Sequence, residues 1–201
     1  MSDLLLDELP TVWHGRRIDP DFRHMVRLSA AYSYGEVEAD PVAFALQLCG
    51  QFYTERFSPS DLQEKYSWLI EFYCAGEQAA EPAAAKHASG HDTGPAFDYR
   101  CDAPYIVAAF QRLYGIDLTA EHIHWFRFRA LLRGVIGEDC MLSRIIDWRT
   151  ADLTDKSPEE RRFYEEKREL FALPSELRGG AAVAETVDEH NSAFIARFRS
   201  R

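Results

Sequence analysis

The sequence contains no apolar run long enough to cross a lipid bilayer. The longest mostly apolar stretch, Pro41 to Tyr53, falls short of the ~20 residues that a membrane-spanning helix needs. The first residues include Asp3, Asp7 and Glu8, whereas a secretion signal would carry Lys or Arg there. We therefore expect a soluble, cytoplasmic protein that has no membrane partner.

Basic residues are few relative to acidic ones. The chain has 201 residues, with 23 Lys and Arg against 33 Asp and Glu, which gives a formal net charge of −10. Such a chain repels the phosphates of nucleic acids on average, so binding to them would need a local basic patch. The charge balance therefore argues against nucleic acid as a partner.

Paired cysteines and catalytic motifs are also missing from the sequence. Cys49, Cys74, Cys101 and Cys140 stand far apart and form no CxxC pair. We expect reduced thiols that pack as small apolar side chains. There is no GxSxG nucleophile motif and no glycine-rich phosphate loop. We therefore expect no catalytic residue, no cofactor and no enzyme activity.

The sequence is rich in helical periodicity. Apolar residues recur at intervals of three and four through most of the chain, for example at Phe44, Leu48 and Phe52. The exception is a short hairpin predicted over residues 11–18, with its turn at His14-Gly15. The predicted fold class is therefore mainly α, with a short N-terminal β-hairpin.

Capping residues predict where several helices begin and end. Asp102 and Thr119 are each expected to cap the helix that follows, and Gly115 is expected to end the helix between them. Residues 157–160, Ser-Pro-Glu-Glu, have the pattern of a capping box with proline at the first helical position. This pattern predicts a helix from residue 158 to about 172.

A change in composition divides the chain. Residues 77–97 are rich in Ala, Gly and Pro and contain no large apolar residue before Phe97, which is typical of a flexible linker. The sequence therefore predicts a hairpin and a small helical lobe over 1–76, this linker over 77–97, and a second small helical lobe over 98–178. Residues 179–201 are expected to form a C-terminal helix or tail.

Four ligand-type residues surround and occupy the predicted linker. Cys74, His87, His91 and Cys101 could in principle hold zinc. Zinc modules usually take two ligands from one tight CxxC turn, whereas both cysteines here are single. We interpret these residues as parts of a linker and its flanks, and we expect no metal ligand among them.

The segment 122–134, HIHWFRFRALLRG, raises a second question about metal and nucleic acid. If it is helical from the Thr119 cap onward, His122 and His124 point about 200° apart and cannot share an ion. The helical wheel places Trp125 and Phe128 on an apolar face, whereas a nucleic-acid surface would expose aromatic rings for stacking. We therefore interpret the segment as the buried central helix of the second lobe.

Two adjacent blocks carry a resemblance to a known family. Tyr114-Gly-Ile-Asp-Leu118, followed by His124-Trp-Phe-Arg-Phe-Arg-Ala-Leu131, resembles the signature of the bacteriophage gene-product-fifteen family. The likeness extends over roughly residues 5–175, although Phe126 stands where a second Trp is common and residues 176–201 match nothing. The resemblance singles out these signature residues, as structural positions or a partner surface: Tyr114, Gly115, Ile116, Asp117, Leu118, His124, Trp125, Phe128 and Arg129.

The resemblance implies a tail assembly chaperone that is not an enzyme. In long-tailed phages the family's gene usually lies between those of the major tail protein and the tape-measure protein. Such a chaperone would coat the tape-measure protein, keep it soluble, recruit tail-tube subunits and be absent from the finished particle. One alternative is a head–tail connector or tail completion subunit that stays in the particle. The other is a zinc- or nucleic-acid-binding regulator. Self-association is compatible with each role.

Overall fold

The computed structural model describes residues 8–78 and 96–178. Their backbone is mainly helical with one two-stranded hairpin, which confirms the predicted fold class. No helix in these two ranges is both long enough and apolar enough to span a bilayer. Most of the predicted linker (79–95) and all of the predicted tail (179–201) lie outside the described residues.

The described residues form two compact units, and one segment departs from the predicted lobes. The first unit joins residues 8–78 to residues 122–130, and the second joins 96–121 to 131–178. The sequence placed residues 122–130 in the middle of the second lobe, whereas they pack with the N-terminal residues.

The helices and strands follow the order of the chain. In the first unit they are β1 (Val12–Trp13), β2 (Arg16–Arg17), α1 (Phe22–Ser33), α2 (Glu36–Ala39), α3 (Pro41–Phe52) and α4 (Leu62–Gln78), with a 3-10 turn at Pro59–Asp61. Helix α6 (Trp125–Gly134) begins in the first unit and ends in the second. The second unit also contains α5 (Ala103–Tyr114), α7 (Met141–Thr150), α8 (Pro158–Leu170) and α9 (Ser175–Arg178).

The N-terminal hairpin has a two-residue turn. Val12 pairs with Arg17 in the antiparallel ladder, and the turn residues His14 and Gly15 have φ values of 47° and 72°. Positive φ at both positions matches the right-handed twist of the two strands. The predicted turn is confirmed. The hairpin also packs on α4, since the Trp13 ring meets the Phe72 ring edge-on with 5.4 Å between centroids.

The core of the first unit is largely aromatic. Phe52, Tyr66 and Phe72 are fully buried, and the Phe72 ring lies 5.2 Å from Phe52 and 4.9 Å from Phe126, centroid to centroid. Burying each such side chain contributes about 1.5–3 kcal/mol. Cys49 is buried in the same unit, where burial raises the pKa of its thiol to about 12. It therefore packs as a small apolar side chain, as expected.

A buried ion pair orders the start of α5 in the second unit. The two carboxylate oxygens of Asp102 accept hydrogen bonds from the Arg149 guanidinium at 2.7 and 3.0 Å, and one also accepts from the Asp98 backbone N–H at 2.9 Å. Asp102 is the N-terminal capping residue of α5, as predicted, but its side chain makes no hydrogen bond to the helix. A bidentate, charged partner on α7 binds the carboxylate more strongly than the neutral N–H groups of α5 can.

Two other predicted helix boundaries are confirmed. Gly115 adopts the left-handed conformation with φ 68° at the end of α5, where a side chain would be strained. At the start of α8, Ser157 Oγ accepts from the Glu160 backbone N–H, and the Glu160 carboxylate accepts from the Ser157 backbone N–H. The helix ends at Leu170, close to the predicted residue 172.

Candidate functional site

The signature residues occupy two segments. Residues 114–118 belong to the second unit and residues 122–129 to the first. Each segment holds the start or the end of a helix.

The backbone just before α6 is extended, so the predicted start of this helix at Thr119 is wrong. Residues 121–123 have no helical conformation, and α6 begins at Trp125. The Phe22 N–H donates to the Ile123 carbonyl at 2.9 Å, and the Trp125 N–H donates to the Pro20 carbonyl at 2.8 Å. This short antiparallel pairing with residues 20–22 satisfies backbone groups that a longer α6 would have used.

The same pairing brings the starts of α1 and α6 side by side. Asp21 precedes α1 and its carboxylate accepts from the Arg23 backbone N–H at 2.9 Å, which caps the helix. Asp21 also pairs through its backbone with His124, the residue before α6. Carboxylates at this position stabilise the partial positive charge of a helix start.

A hydrogen-bonded cluster of two histidines and two aspartates lies at these helix starts. Asp19 meets His122 Nε2 at 2.7 Å with one carboxylate oxygen and His24 Nε2 at 2.9 Å with the other. His122 Nε2 also lies 3.5 Å from the Asp21 carboxylate. Burial alone would raise the pKa of Asp19, but hydrogen bonds from both histidines and from the Asp21 N–H lower it below its usual value. The cluster therefore contains an ionised carboxylate that ties residue 122 to the start of α1.

His124 uses both of its ring nitrogens. Nδ1 accepts the Phe126 N–H at 3.0 Å and so caps α6, while Nε2 donates to the Pro10 carbonyl at 3.1 Å. This pattern requires the neutral ring with its proton on Nε2. Burial lowers the pKa of His124, and the charge of His122 lowers it further, against the opposing effect of the Pro10 hydrogen bond. His124 is a neutral capping residue in this arrangement.

Trp125 and Phe128 are buried, as the helical wheel predicted. The Trp125 indole donates to the Tyr73 carbonyl at 3.2 Å and stacks on the Tyr73 ring, with 5.3 Å between centroids. Phe128 stacks on Phe22 at 4.4 Å. The Arg129 guanidinium lies 5.5 Å from the centre of the Trp125 ring, in the range of a cation–π contact. These rings build the core beneath α1 and α4 and are not exposed for stacking on bases.

Residues 114–118 form the tight connection that follows α5. Ile116 and Leu118 are buried, and the half-buried Asp117 accepts from the backbone N–H and the hydroxyl of Thr119 at 2.9 and 2.6 Å. These two hydrogen bonds lower the pKa of Asp117. They also explain why Thr119 caps no helix, since Asp117 holds it in a local turn.

Tyr114 connects the end of α5 to α6 within the second unit. Its hydroxyl donates to the Leu131 carbonyl at 2.9 Å. Gly134 leaves space for that hydroxyl, because a Cβ atom at this position would lie 2.5 Å from Tyr114 Oη. The position of the Tyr114 hydroxyl therefore favours a residue without a side chain at position 134.

Two of the four ligand-type residues near the predicted linker are among the described residues. His87 and His91 lie outside the described residues, while Cys74 is half-buried and Cys101 is exposed. Across residues 8–78 and 96–178, no group of three or more His, Cys, Asp or Glu side chains is placed to hold a metal ion.

Four aromatic side chains follow one another across the surface of the second unit; we call them the aromatic row. Ring centroids are separated by 6.2 Å between Tyr105 and Phe171, by 5.3 Å between Phe171 and Trp148, and by 6.4 Å between Trp148 and Phe163. The first three rings are half-buried, and Phe163 is exposed. The row connects α5, α7 and α8.

A comparison with protein families gives a match over residues 3–173, to the family described as Bacteriophage Gp15 protein. The chain belongs to this family. Searches of curated proteins and of solved structures gave no significant match.

Membership of the Bacteriophage Gp15 family makes the chain a structural or assembly protein of a phage. The match covers both signature segments, the histidine–aspartate cluster and the aromatic row. Every signature residue has a structural contact, and a partner surface formed by them stays a prediction.

Some residues of the cluster were not foreseen from the sequence of this Gp15 family member. Asp19 and His24 carried no motif, because Asp19 joins His24 to His122, which stands about a hundred residues away in the chain. The Asp-Pro-Asp-Phe stretch at 19–22 leads into α1, and Asp21 supplies the cap of this helix.

Proposed function

We propose that this protein is a tail assembly chaperone of its phage. It binds the tape-measure protein, keeps it soluble and helps to recruit the major tail protein, which forms the tail tube. It acts in the cytoplasm of the bacterial host and catalyses no reaction. The observation that carries the proposal is the Gp15 family match over residues 3–173.

The charge of the chain supports this role. A client that is long and apolar aggregates unless its complexes repel one another, and a chaperone with a net charge of −10 provides that repulsion. The same charge disfavours phosphate-rich partners.

The exposed apolar side chains support it as well. An apolar surface can receive an amphipathic helical segment of a client. Four large apolar side chains of the described residues in the second unit are exposed: Ile136, Met141, Phe163 and Leu170.

Co-expression tests the proposal. The tape-measure protein of the same phage is produced alone, with this protein, or with an unrelated acidic helical protein of similar size. We expect a several-fold higher soluble yield, and co-purification, only with this protein. The absence of both effects with the cognate client would overturn the proposal.

The composition of finished particles gives a second test. A chaperone leaves before the tail is complete, so mass spectrometry of purified particles is expected to detect no peptides of this protein. Peptides present at the level of a structural subunit would instead indicate a head–tail connector or tail completion subunit.

A further inference from the structure

Helix α8 has an apolar strip that no described residue covers. Phe163 is 46% exposed and Leu170 is 69% exposed. They are seven positions apart, so at about 100° per residue they lie within about 20° of each other on the helix. None of the residues of α8 is buried. We call Phe163, Leu170 and the aromatic row beside them the α8 strip.

The aromatic row extends the strip beyond one helix. Trp148 lies beside Phe163, and Phe171 and Tyr105 continue the row. Large aromatic side chains that are partly exposed and contiguous provide most of the binding energy in many interfaces. The strip is wide enough to contact more than one turn of a bound helix.

Most basic side chains of α8 contact other groups of the protein. Among the basic side chains of α8, Arg161 donates to the Leu153 carbonyl at 3.1 Å and Arg168 donates to the Trp148 carbonyl at 2.8 Å. The Lys167 ammonium lies 5.4 Å from the centre of the Trp148 ring and 5.5 Å from that of Phe163. Arg161 and Arg168 are therefore engaged by backbone carbonyls of the protein, whereas the Lys167 ammonium lies over two rings of the strip itself.

The carboxylates of α8 are less engaged. Glu159 and Glu166 lie about 40° and 60° from Phe163 on the helical wheel, and so border the strip. Glu166 pairs with Arg162 at 3.0 Å, whereas Glu159, Glu165 and Glu169 form no ion pair with any described residue. A partner would therefore meet an apolar strip with an acidic border along one edge, opposite the edge at which Lys167 lies.

We infer that the α8 strip docks a basic amphipathic helix of the tape-measure protein. The apolar stripe of that helix packs on Phe163, Leu170 and Trp148, and its flanking Lys or Arg side chains meet the glutamates. This inference rests on the proposed function and assigns the surface that performs it.

The test uses labelled peptides from the tape-measure protein. Overlapping peptides of about 20 residues, or ~30 Å of helix, are titrated with the full-length protein and followed by fluorescence polarisation. We expect binding by peptides that combine an apolar stripe with Lys or Arg. A copy of the best peptide with Glu at those basic positions should not bind.

Two double variants assign the surface. Phe163→Ser with Leu170→Ser is expected to weaken binding about 30-fold, which corresponds to about 2 kcal/mol. Val12→Ser with Leu46→Ser removes side chains of similar exposure, 51% and 40%, from the first unit and should bind as wild type does. Circular dichroism and thermal unfolding establish that both variants are folded.

The outcomes separate this inference from the proposed function. If the full-length tape-measure protein co-purifies with wild type and with the Phe163→Ser, Leu170→Ser variant alike, the inference is wrong and the proposed function stands. If the tape-measure protein binds neither wild type nor this variant, the proposed function is wrong and the inference that rests on it falls as well. If this variant instead turns a dimer into a monomer while peptide affinity is unchanged, a second copy occupies the strip and the inference is wrong.

Discussion

Replacing His124 by alanine tests whether this signature residue holds the start of α6. The change removes the acceptor for the Phe126 N–H and the donor to the Pro10 carbonyl. The cap contributes about 1 kcal/mol, and the second hydrogen bond contributes about 1 kcal/mol. We therefore expect the free energy of unfolding to fall by about 2 kcal/mol at pH 8, and by about half of that in His124→Asn, whose side-chain oxygen can still cap the helix.

The pH dependence of the same variant provides a sharper test. Burial, the largest cause, lowers the pKa of His124 in the folded protein below the usual histidine value of 6.5. Well above pH 6.5 both the folded and the unfolded chains hold this ring neutral. As the pH falls below 6.5, the unfolded chain binds a proton that the folded chain resists, so wild type loses stability. The slope from this one group is at most about 1.4 kcal/mol per pH unit.

Urea unfolding between pH 8 and pH 5.5, followed by tryptophan fluorescence, measures both effects. The stability difference between wild type and His124→Ala should shrink as the pH falls, because only wild type contains the titrating ring. Comparing the two proteins at each pH cancels the contribution of the other histidines. Equal stability at pH 8, or a difference that is constant with pH, would refute the capping role.

Two further predictions concern the second unit. Gly134→Ala places a methyl group 2.5 Å from the Tyr114 hydroxyl, so it should be neutral or destabilising in wild type but stabilising by about 0.5 kcal/mol in Tyr114→Phe, where helix propensity alone acts. Equal effects in both backgrounds, measured by urea unfolding, would contradict the proposed fit. Arg149→Ala should lower the unfolding free energy by about 3–5 kcal/mol because it leaves the Asp102 carboxylate buried without its partner. The double variant Arg149→Ala, Asp102→Ala should recover part of that loss, and a single-variant loss below about 1 kcal/mol would indicate that the pair behaves as an exposed one.

Local features of the sequence predicted local structure well. The His14-Gly15 turn, the glycine at the end of α5 and the Ser157 capping box each depend on residues within four positions of one another. The burial of Trp125 and Phe128 followed from their shared side of one helix. Such features could be read from the chain because the interacting groups are neighbours in it.

At two of the predicted caps, the side chain is engaged by a residue outside the helix that it was expected to cap. Asp102 and Thr119 are both suitable capping residues, but each is engaged elsewhere: Asp102 by Arg149, and Thr119 by Asp117. The histidine–aspartate cluster escaped prediction for a related reason, since Asp19 and His122 are 103 positions apart. The local pattern reveals neither Arg149 nor His122, because both are distant in the chain, whereas Asp117 shows that a neighbouring turn can also override a capping preference.

The pairing of residues 20–22 with residues 123–125 has a consequence for synthesis. A ribosome adds roughly 5–20 residues per second, so roughly 2–10 s pass between the emergence of residue 78 and that of Trp125. During that interval the residues of α1 and α4 have been made, but two of their stacking partners have not. Trp125, which stacks on Tyr73, and Phe128, which stacks on Phe22, come later in the chain. The aromatic core of the first unit is therefore incomplete in the nascent chain, and it is completed only after residues 122–130 have been synthesised.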